Sequence, residues 1–239
     1  MATHNVIAID GLSASGKGTL AKKLAMHFGF AHLDTGKIYR LVAFLFWQKY
    51  SKQNPSSMTH IDNGGIDEKN LLSVANDVVD FLTNPDRLVY QNILSQYAKN
   101  LVNDDISVVA SKVACNENLR KILRQAQRAF GEDKHKKGAV IDGRDIGTVI
   151  FPDALIKFFI IADIKVRAER RYLELQNHGL SASQDAILAD LEWRDHMDKE
   201  RKVAPLKPAD DALVLDSSQI SADELFEKAL SCIKRAKIF

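Results

Sequence analysis

Three short stretches of this sequence carry side chains able to handle phosphate. The first is "IAIDGLSASGKGTL", Ile7 to Leu20, in which a glycine, four residues, a glycine and a lysine follow an apolar run. Glycines let the backbone curl so that successive N–H groups converge on phosphate oxygens. A helix starting there adds its positive end, and Lys17 adds a point charge for the outer phosphates. Gly11, Leu12, Ser13, Ala14, Ser15, Gly16, Lys17, Gly18 and Thr19 are therefore the candidate phosphate-binding residues. A plain glycine turn is the alternative, and the strand pattern before and amphipathic pattern after argue against it. The usual form of the motif has Ser or Thr directly after the lysine as a magnesium ligand. Here that place is Gly18, with Thr19 next, so magnesium would be held by phosphates, water and a distant carboxylate.

The second stretch is "LDTGKIYR", Leu33 to Arg40, and the third is "IDGRDIGTVIFPDA", Ile141 to Ala154. Each follows an apolar run with an acid, and the third adds Arg144 and Asp145 in a loop. Ligands of parallel sheets sit beyond the carboxyl ends of the strands, where all three stretches fall. No guanine-binding "NKxD" sequence and no motor or helicase signature is present. Small-substrate phosphoryl transfer is the chemistry that fits. It depends on positioning and charge neutralisation, and so on arginines converging on one place.

The elements that must position these residues can be read from periodicity. Strands are expected at Val6–Asp10, Phe30–Leu33, Ala139–Asp142, Leu155–Ala162 and Ala212–Leu215. Helices are expected at Lys17–Phe28 with Gly29 as C-cap, Thr35–Tyr50, Glu68–Phe81, Ile164–Asn177 and Ser183–Lys202. Asp104–Phe130 reads as two helices broken near Asn116, and "SADE" at Ser221–Glu224 as a capping box opening the last helix. Residues 51–66, "SKQNPSSMTHIDNGGI", read as a linker, while Arg87 to about Asn103 fits more than one pattern, a hairpin among them. Alternating strands and helices predict an α/β fold: a P-loop core with a five-stranded, mostly parallel sheet covered on both faces. The whole of 1–239 is read as a single kinase-type domain, with an inserted lobe at 51–103 and a lid region at 178–203.

Composition narrows the partners. The chain has 239 residues, 46% hydrophobic and 27% charged, with net charge +2. No global excess of charge points to nucleic acid or a membrane surface. Two cysteines, Cys115 and Cys232, form neither a disulfide framework nor a metal spacing. With no basic start before a long apolar run and no run near ~20 apolar residues, a cytoplasmic location is expected. Nothing self-complementary stands out, so a monomer is expected.

Taken with "RKVAPLKPADDALVLD", Arg201 to Asp216, these motifs resemble the bacterial cytidylate kinases, in order from Ile7 to about Lys237 and including the insert. The resemblance implies a P-loop core, a monophosphate-binding lobe and a mobile lid, transferring the γ-phosphoryl group of ATP to CMP or dCMP with Mg2+. It implies that Gly11 to Thr19 bind ATP phosphates and that Lys17, Arg144 and Arg201 act on the transferring phosphate. It implies that Thr35 and Arg40 contact CMP, that Ser111, Arg120 and Asp145 approach the cytosine, and that Arg194 and Asp198 reach the ribose. Asp142 is the implied magnesium side chain, acting through water, and Arg167, Arg170 and Arg171 are placed near the lid. The donor and acceptor capacities of Asp145, Arg120 and Ser111 suit a cytosine edge. No catalytic base is expected, because the CMP phosphate is already an anionic nucleophile.

Each assignment has a plainer alternative. Arg40 and Arg120 would serve as solvated arginines, Ser111 as a packing residue and Asp142 as a turn cap. At least one arginine of "KVRAERRYLE" would be a surface ion-pair residue, "EDKHKKG" a solvated loop, and His178 and His196 exposed. At the level of function the rivals are another small-substrate kinase, such as adenylate kinase, and a regulator that binds ATP without turnover. The first lacks the "DGRDIGTV" loop; the second does not need Lys17 and the arginines.

Overall fold

The computed structural model of the chain describes residues 4–50, 66–84, 86 and 88–236. The linker expected at 51–66 lies almost wholly outside them. The described chain divides into two compact units. One comprises Met1–Thr35, Arg128–Glu174 and Ala182–Phe239, and the other Gly36–Gln127 and Leu175–Ser181.

The first unit is built on a five-stranded sheet of order β2-β3-β1-β4-β5, every neighbouring pair parallel. Its strands are β1 (His4–Gly11), β2 (Ala31–Asp34), β3 (Ala139–Gly143), β4 (Ala154–Ile161) and β5 (Leu213–Asp216). Val6, Ile7, Ala8 and Ile9 are wholly buried, the unbroken apolar run of a central strand covered on both faces. On one face α1 (Lys17–Phe28) and α10 (Ala222–Arg235) pack together. Leu20, Leu24, Leu225, Ala229 and Ile233 from those helices join Ile7, Ile9, Val140, Phe158 and Ile160 from the strands in one core. At roughly 1.5–3 kcal/mol for each large side chain buried, this core holds the strand ends in place. Gly29 closes α1 in the left-handed conformation, φ 66°, and Ser221 with Glu224 forms the reciprocal capping box of α10. The all-parallel sheet flanked by helices is the architecture expected, and its edge strand β5 leaves Leu213 and Val214 exposed.

The first unit also holds most of α8 (Ile164–Asn177) and all of α9 (Gln184–Glu200). Between β3 and β4 lies a π-turn, Ile146–Ile150, in which Ile150 N–H reaches back to Asp145 O at 3.1 Å.

The second unit is helical. It carries most of α2 (Thr35–Tyr50), then α3 (Glu68–Thr83), α4 (Leu88–Gln96), α5 (Ala98–Val102), α6 (Asp104–Val113) and most of α7 (Glu117–Glu132). α3 buries Leu71, Val74, Ala75 and Val78, and α6 buries Ile106, Val109, Ala110 and Val113, both at i, i+3, i+4, i+7 spacing. Asp67 and Asn103 cap them, accepting from Asn70 N–H and Asp105 N–H. The stretch from Arg87 to Asn103 is not a hairpin: its described residues form α4 and α5. "LVYQNILSQYAKNLV" has no period-two alternation and no Asn-Gly or Asp-Gly turn, and Asp86 accepts from Leu88 N–H at 3.0 Å where α4 begins. No helix among the described residues is long and apolar enough to cross a membrane.

Candidate active site

The phosphate loop leaves β1 at Gly11, whose φ is 150°. A Cβ there would stand 2.2 Å from Ile160 O of β4, so only glycine lets the loop start where it does. Gly16, φ 87°, opens α1 with no side-chain cap, which leaves the first-turn N–H groups available for an anion. The loop is held from outside. Leu12 N–H donates to Ile160 O at 3.3 Å, Arg167 Nη1 to Ser13 O at 3.3 Å, and Ser217 Oγ to Ser15 O at 2.8 Å. Ala14 sits at φ 56°, a left-handed conformation that costs on the order of 1–2 kcal/mol for a non-glycine residue. Lys17 Nζ donates to Leu12 O at 3.2 Å, folding the lysine over the loop it would serve.

Beside the loop, β2 and β3 run in register so that Asp34 pairs with Asp142. Asp142 is buried, and its Oδ1 lies 2.8 Å from His32 Nε2. Burial, and then the neighbouring Asp34 carboxylate, push the Asp142 carboxyl above the usual range, while His32 and Lys17 oppose the shift. Its other oxygen, Oδ2, lies 3.7 Å from where a Cβ of residue 18 would stand. The motif's departure at Gly18 thus has a physical counterpart: a carboxylate oxygen faces the place where a hydroxyl is usually found. Thr35 Oγ donates to Asp142 O at 2.8 Å, so its hydroxyl proton is committed to the β3 backbone. Among the described residues no group of three or more His, Cys, Asp or Glu is arranged to hold a metal ion.

A second cluster surrounds Asp198. Arg144 Nε donates to Asp198 Oδ2 at 2.6 Å, and Arg201 Nη1 lies 3.8 Å from Asp198 Oδ1. Arg201 Nη2 lies 4.0 Å from Asp145 Oδ1. Burial alone would lower the Arg144 pKa, but the carboxylates of Asp198, Asp195 and Asp142 outweigh it and hold the guanidinium above its ordinary range. Burial likewise opposes ionisation of Asp198, and Arg144, Arg201 and Arg194 overcome it to hold that carboxyl low. Arg194 is 5% exposed, and burial with the nearby Arg144 and Arg171 lowers its pKa, although Asp190 sits 3.5 Å away. Guanidinium and carboxylate groups are thus interleaved in one buried cluster, and a guanidinium that exchanges its carboxylate for a ligand has the fork geometry that suits a phosphate dianion.

The loop bearing Arg144 and Asp145 is clamped along its length. Asp10, 4% exposed, accepts from Ile146 N–H at 2.8 Å and Gly147 N–H at 2.7 Å. Arg128 Nη1 donates to Ile150 O and Lys157 Nζ to Pro152 O, each at 2.6 Å.

The plainer alternative for α8, a surface ion-pair arginine, is met only in part: the arginines are drawn inward, and Arg171 pairs with half-exposed Glu174. Arg167 and Arg171 are buried and Arg170 half-buried. Arg167 is bidentate to Asp195 at 3.2 and 2.6 Å, and Arg171 pairs with Glu174 at 2.8 Å. Arg170 donates to Ser217 Oγ and Ser217 O at 3.0 and 2.7 Å. His178 and His196 are exposed.

Within the second unit, Arg120 is 8% exposed rather than a surface arginine. Its guanidinium lies over the Tyr39 ring at 5.8 Å and donates to Ala114 O at 3.1 Å. Ser111 Oγ donates to Ser107 O at 3.1 Å, and half-buried Arg40 reaches Leu101 O at 3.5 Å.

Several participants are not legible in the motifs as site residues: Asp10, His32, Asp34, Asp195 and Ser217. Asp10 and Asp34 are the acids of the first two motifs, and His32 lies in a predicted strand just before the second, which is the one signal that marks them. Asp195 and Ser217 are tied to the site by contacts across 28 and 202 residues of chain, which periodicity does not reveal.

Comparison with known proteins agrees with the geometry. The family model for cytidylate kinase matches residues 7–235. A cytidylate kinase of Bartonella tribocorum is 43% identical over 228 residues, 95% of this chain and 94% of that protein. One from Pasteurella multocida is 39% identical over 236 residues, 98% of this chain and 97% of the relative. Among solved structures, an uncharacterised protein from Eubacterium ventriosum superposes with TM-score 0.50 at 13% identity, covering 98% of this chain and 99% of that one, a likeness of fold alone.

Proposed function

The chain belongs to the cytidylate kinase family, and on that premise we propose that it transfers the γ-phosphoryl group of ATP to CMP or dCMP, giving CDP or dCDP and ADP. The observation that carries the reading lies within one unit. A phosphate loop after β1, acids at the ends of β2 and β3, and buried arginines around Asp198 supply the parts that in-line phosphoryl transfer needs.

In this reading Gly11 to Thr19 hold the ATP phosphates, and Lys17 exchanges Leu12 O for a phosphate oxygen. Arg144 and Arg201 neutralise charge on the group in flight, which is where such groups contribute most. The CMP phosphate attacks as an anion, so no side chain need remove a proton. Thr35, Arg40, Ser111, Arg120, Asp145, Arg194 and Asp198 are the proposed CMP contacts, with Asp145 accepting from the cytosine amino group. A magnesium ion would supply further charge neutralisation of the phosphates when bound. Asp142 fits that ion: its Oδ2 is a hard oxygen donor facing Gly18, and a bound cation would counter the burial and the Asp34 charge that raise its pKa. Residues 51–103 as an inserted lobe, 178–203 as a lid and a monomeric, cytoplasmic protein complete the proposal.

An ADP-coupled assay with ATP and each of CMP, dCMP, UMP and AMP tests it. CMP and dCMP should exceed UMP and AMP in kcat/KM by roughly 10²-fold or more. Preference for AMP would point to an adenylate kinase, and ATP binding without turnover of any acceptor to a regulator.

A further inference from the structure

We propose that Asp10 is a positioning residue for base discrimination, holding the loop that carries Asp145 through the backbone of Ile146 and Gly147; the inference rests on the reading of Asp145 as a cytosine contact. Asp10 lies near the end of the central strand β1, paired with Gly143 of β3 and Phe159 of β4. Gly11, next in sequence, is wedged against Ile160 O, so the Asp10 backbone has little room to shift. From there the side chain spans 136 residues of sequence to accept two N–H groups, one on each oxygen.

Those two groups open the π-turn that follows Asp145. Its N-cap position is occupied by Asp145 itself, yet Asp145 makes no capping hydrogen bond. An aspartate at an N-cap ordinarily folds its carboxylate back onto the N–H groups behind it. Here Asp10 performs that role from another strand, and the Asp145 carboxylate is directed elsewhere, toward Arg201 at 4.0 Å. Gly147 lies alongside: a Cβ there would meet Asp10 Oδ2 at an ordinary contact distance of 3.5 Å and Lys157 Cδ more closely, at 3.1 Å. One carboxylate therefore joins the start of the ATP loop to the start of the base-reading loop. Its loss should release Asp145 to cap its own turn, and with that the contact that tells an amino group from a carbonyl.

The test is steady-state kinetics of Asp10→Asn at saturating ATP with CMP and UMP as acceptors. Asn keeps the shape but offers one acceptor oxygen where two are needed. The CMP:UMP ratio of kcat/KM should fall about 10-fold, with KM for CMP raised and KM for ATP within about threefold of wild type. Asp145→Asn should show the same narrowing, and Asp10→Asn in that background should narrow it no further. Asp10→Ala, which removes both acceptor oxygens without adding bulk, should reproduce the selectivity loss and stands in if Asp10→Asn does not fold. An unchanged ratio with both activities lowered equally would mean that Asp10 is only structural and would overturn the inference alone. A wild-type enzyme with no preference for CMP would overturn the functional reading beneath it.

Discussion

Lys17 is the residue whose removal should separate catalysis from folding. It is half-buried and donates to Leu12 O of the phosphate loop. Lys17→Ala should lower kcat roughly 10²-fold or more, about 3 kcal/mol of transition-state stabilisation, with the thermal midpoint nearly unchanged. A kcat within threefold of wild type would count against its proposed role. Asp10 behaves differently. Burial pushes its pKa from 3.8 to about 7, against the two backbone N–H groups that favour its charge, with Asp145 adding to the rise and Arg144 opposing it. The folded state then binds a proton more tightly than the unfolded chain. The contribution of this group to stability is full below about pH 4 and is lost as pH rises toward 7, at ~1.4 kcal/mol for each pH unit crossed. Urea unfolding of wild type and Asp10→Asn should therefore show wild type losing ground relative to the variant between about pH 4 and pH 7. A constant difference across that range would show that Asp10 stays ionised.

Elements make these residues act together, and Arg167 of α8 shows how. Its guanidinium meets Asp195 of α9, Ser13 O of the phosphate loop and Ala162 O at the end of β4. Removing one partner of a buried pair leaves an uncompensated charge, a loss of about 3 kcal/mol or more. Asp195→Ala should destabilise the protein by that order in denaturant melts, whereas Asp223→Ala, whose side chain is exposed in its pair with Lys23, should lower stability by less than about 1 kcal/mol. Equal effects would mean that the Arg167 tie is no stronger than a surface pair. The sequence is clear where local rules decide: α1 with its glycine cap, the capping box of α10 and the apolar strands match their predicted bounds closely. It is opaque where long-range contacts decide. "KVRAERRYLE" has the charge pattern of a solvated helix face, and only the packing of α9 and the phosphate loop buries its arginines. The π-turn has no propensity signature, since its cap arrives from Asp10 in another strand. α4 and α5 are short helices without strong periodicity, so the sequence alone leaves a hairpin open.

For the molecule as a whole, the expected lid at 178–203 is the part of the account that concerns motion. Its leading stretch, "NHGLSAS", contains Gly179 at φ 71° closing α8, and the division between the two compact units falls inside it, at Ser181–Ala182. His178, Gly179 and Leu180 N–H are bonded back to α8, so a hinge would lie in the residues that follow them, before α9 begins. Amides of 178–203 should exchange faster in the free protein than with a bisubstrate mimic bound, while Val6 to Asp10 stay equally protected in both states. Equal exchange with and without the mimic would remove the hinge from the account. The central claim, that this molecule moves a phosphoryl group onto a cytidine monophosphate, is tested most directly by following the group itself. With ATP labelled at its γ-phosphorus and CMP as acceptor, the label should appear in the β-phosphate of CDP in step with ADP formation. Label recovered as inorganic phosphate at the same rate with and without CMP would contradict it.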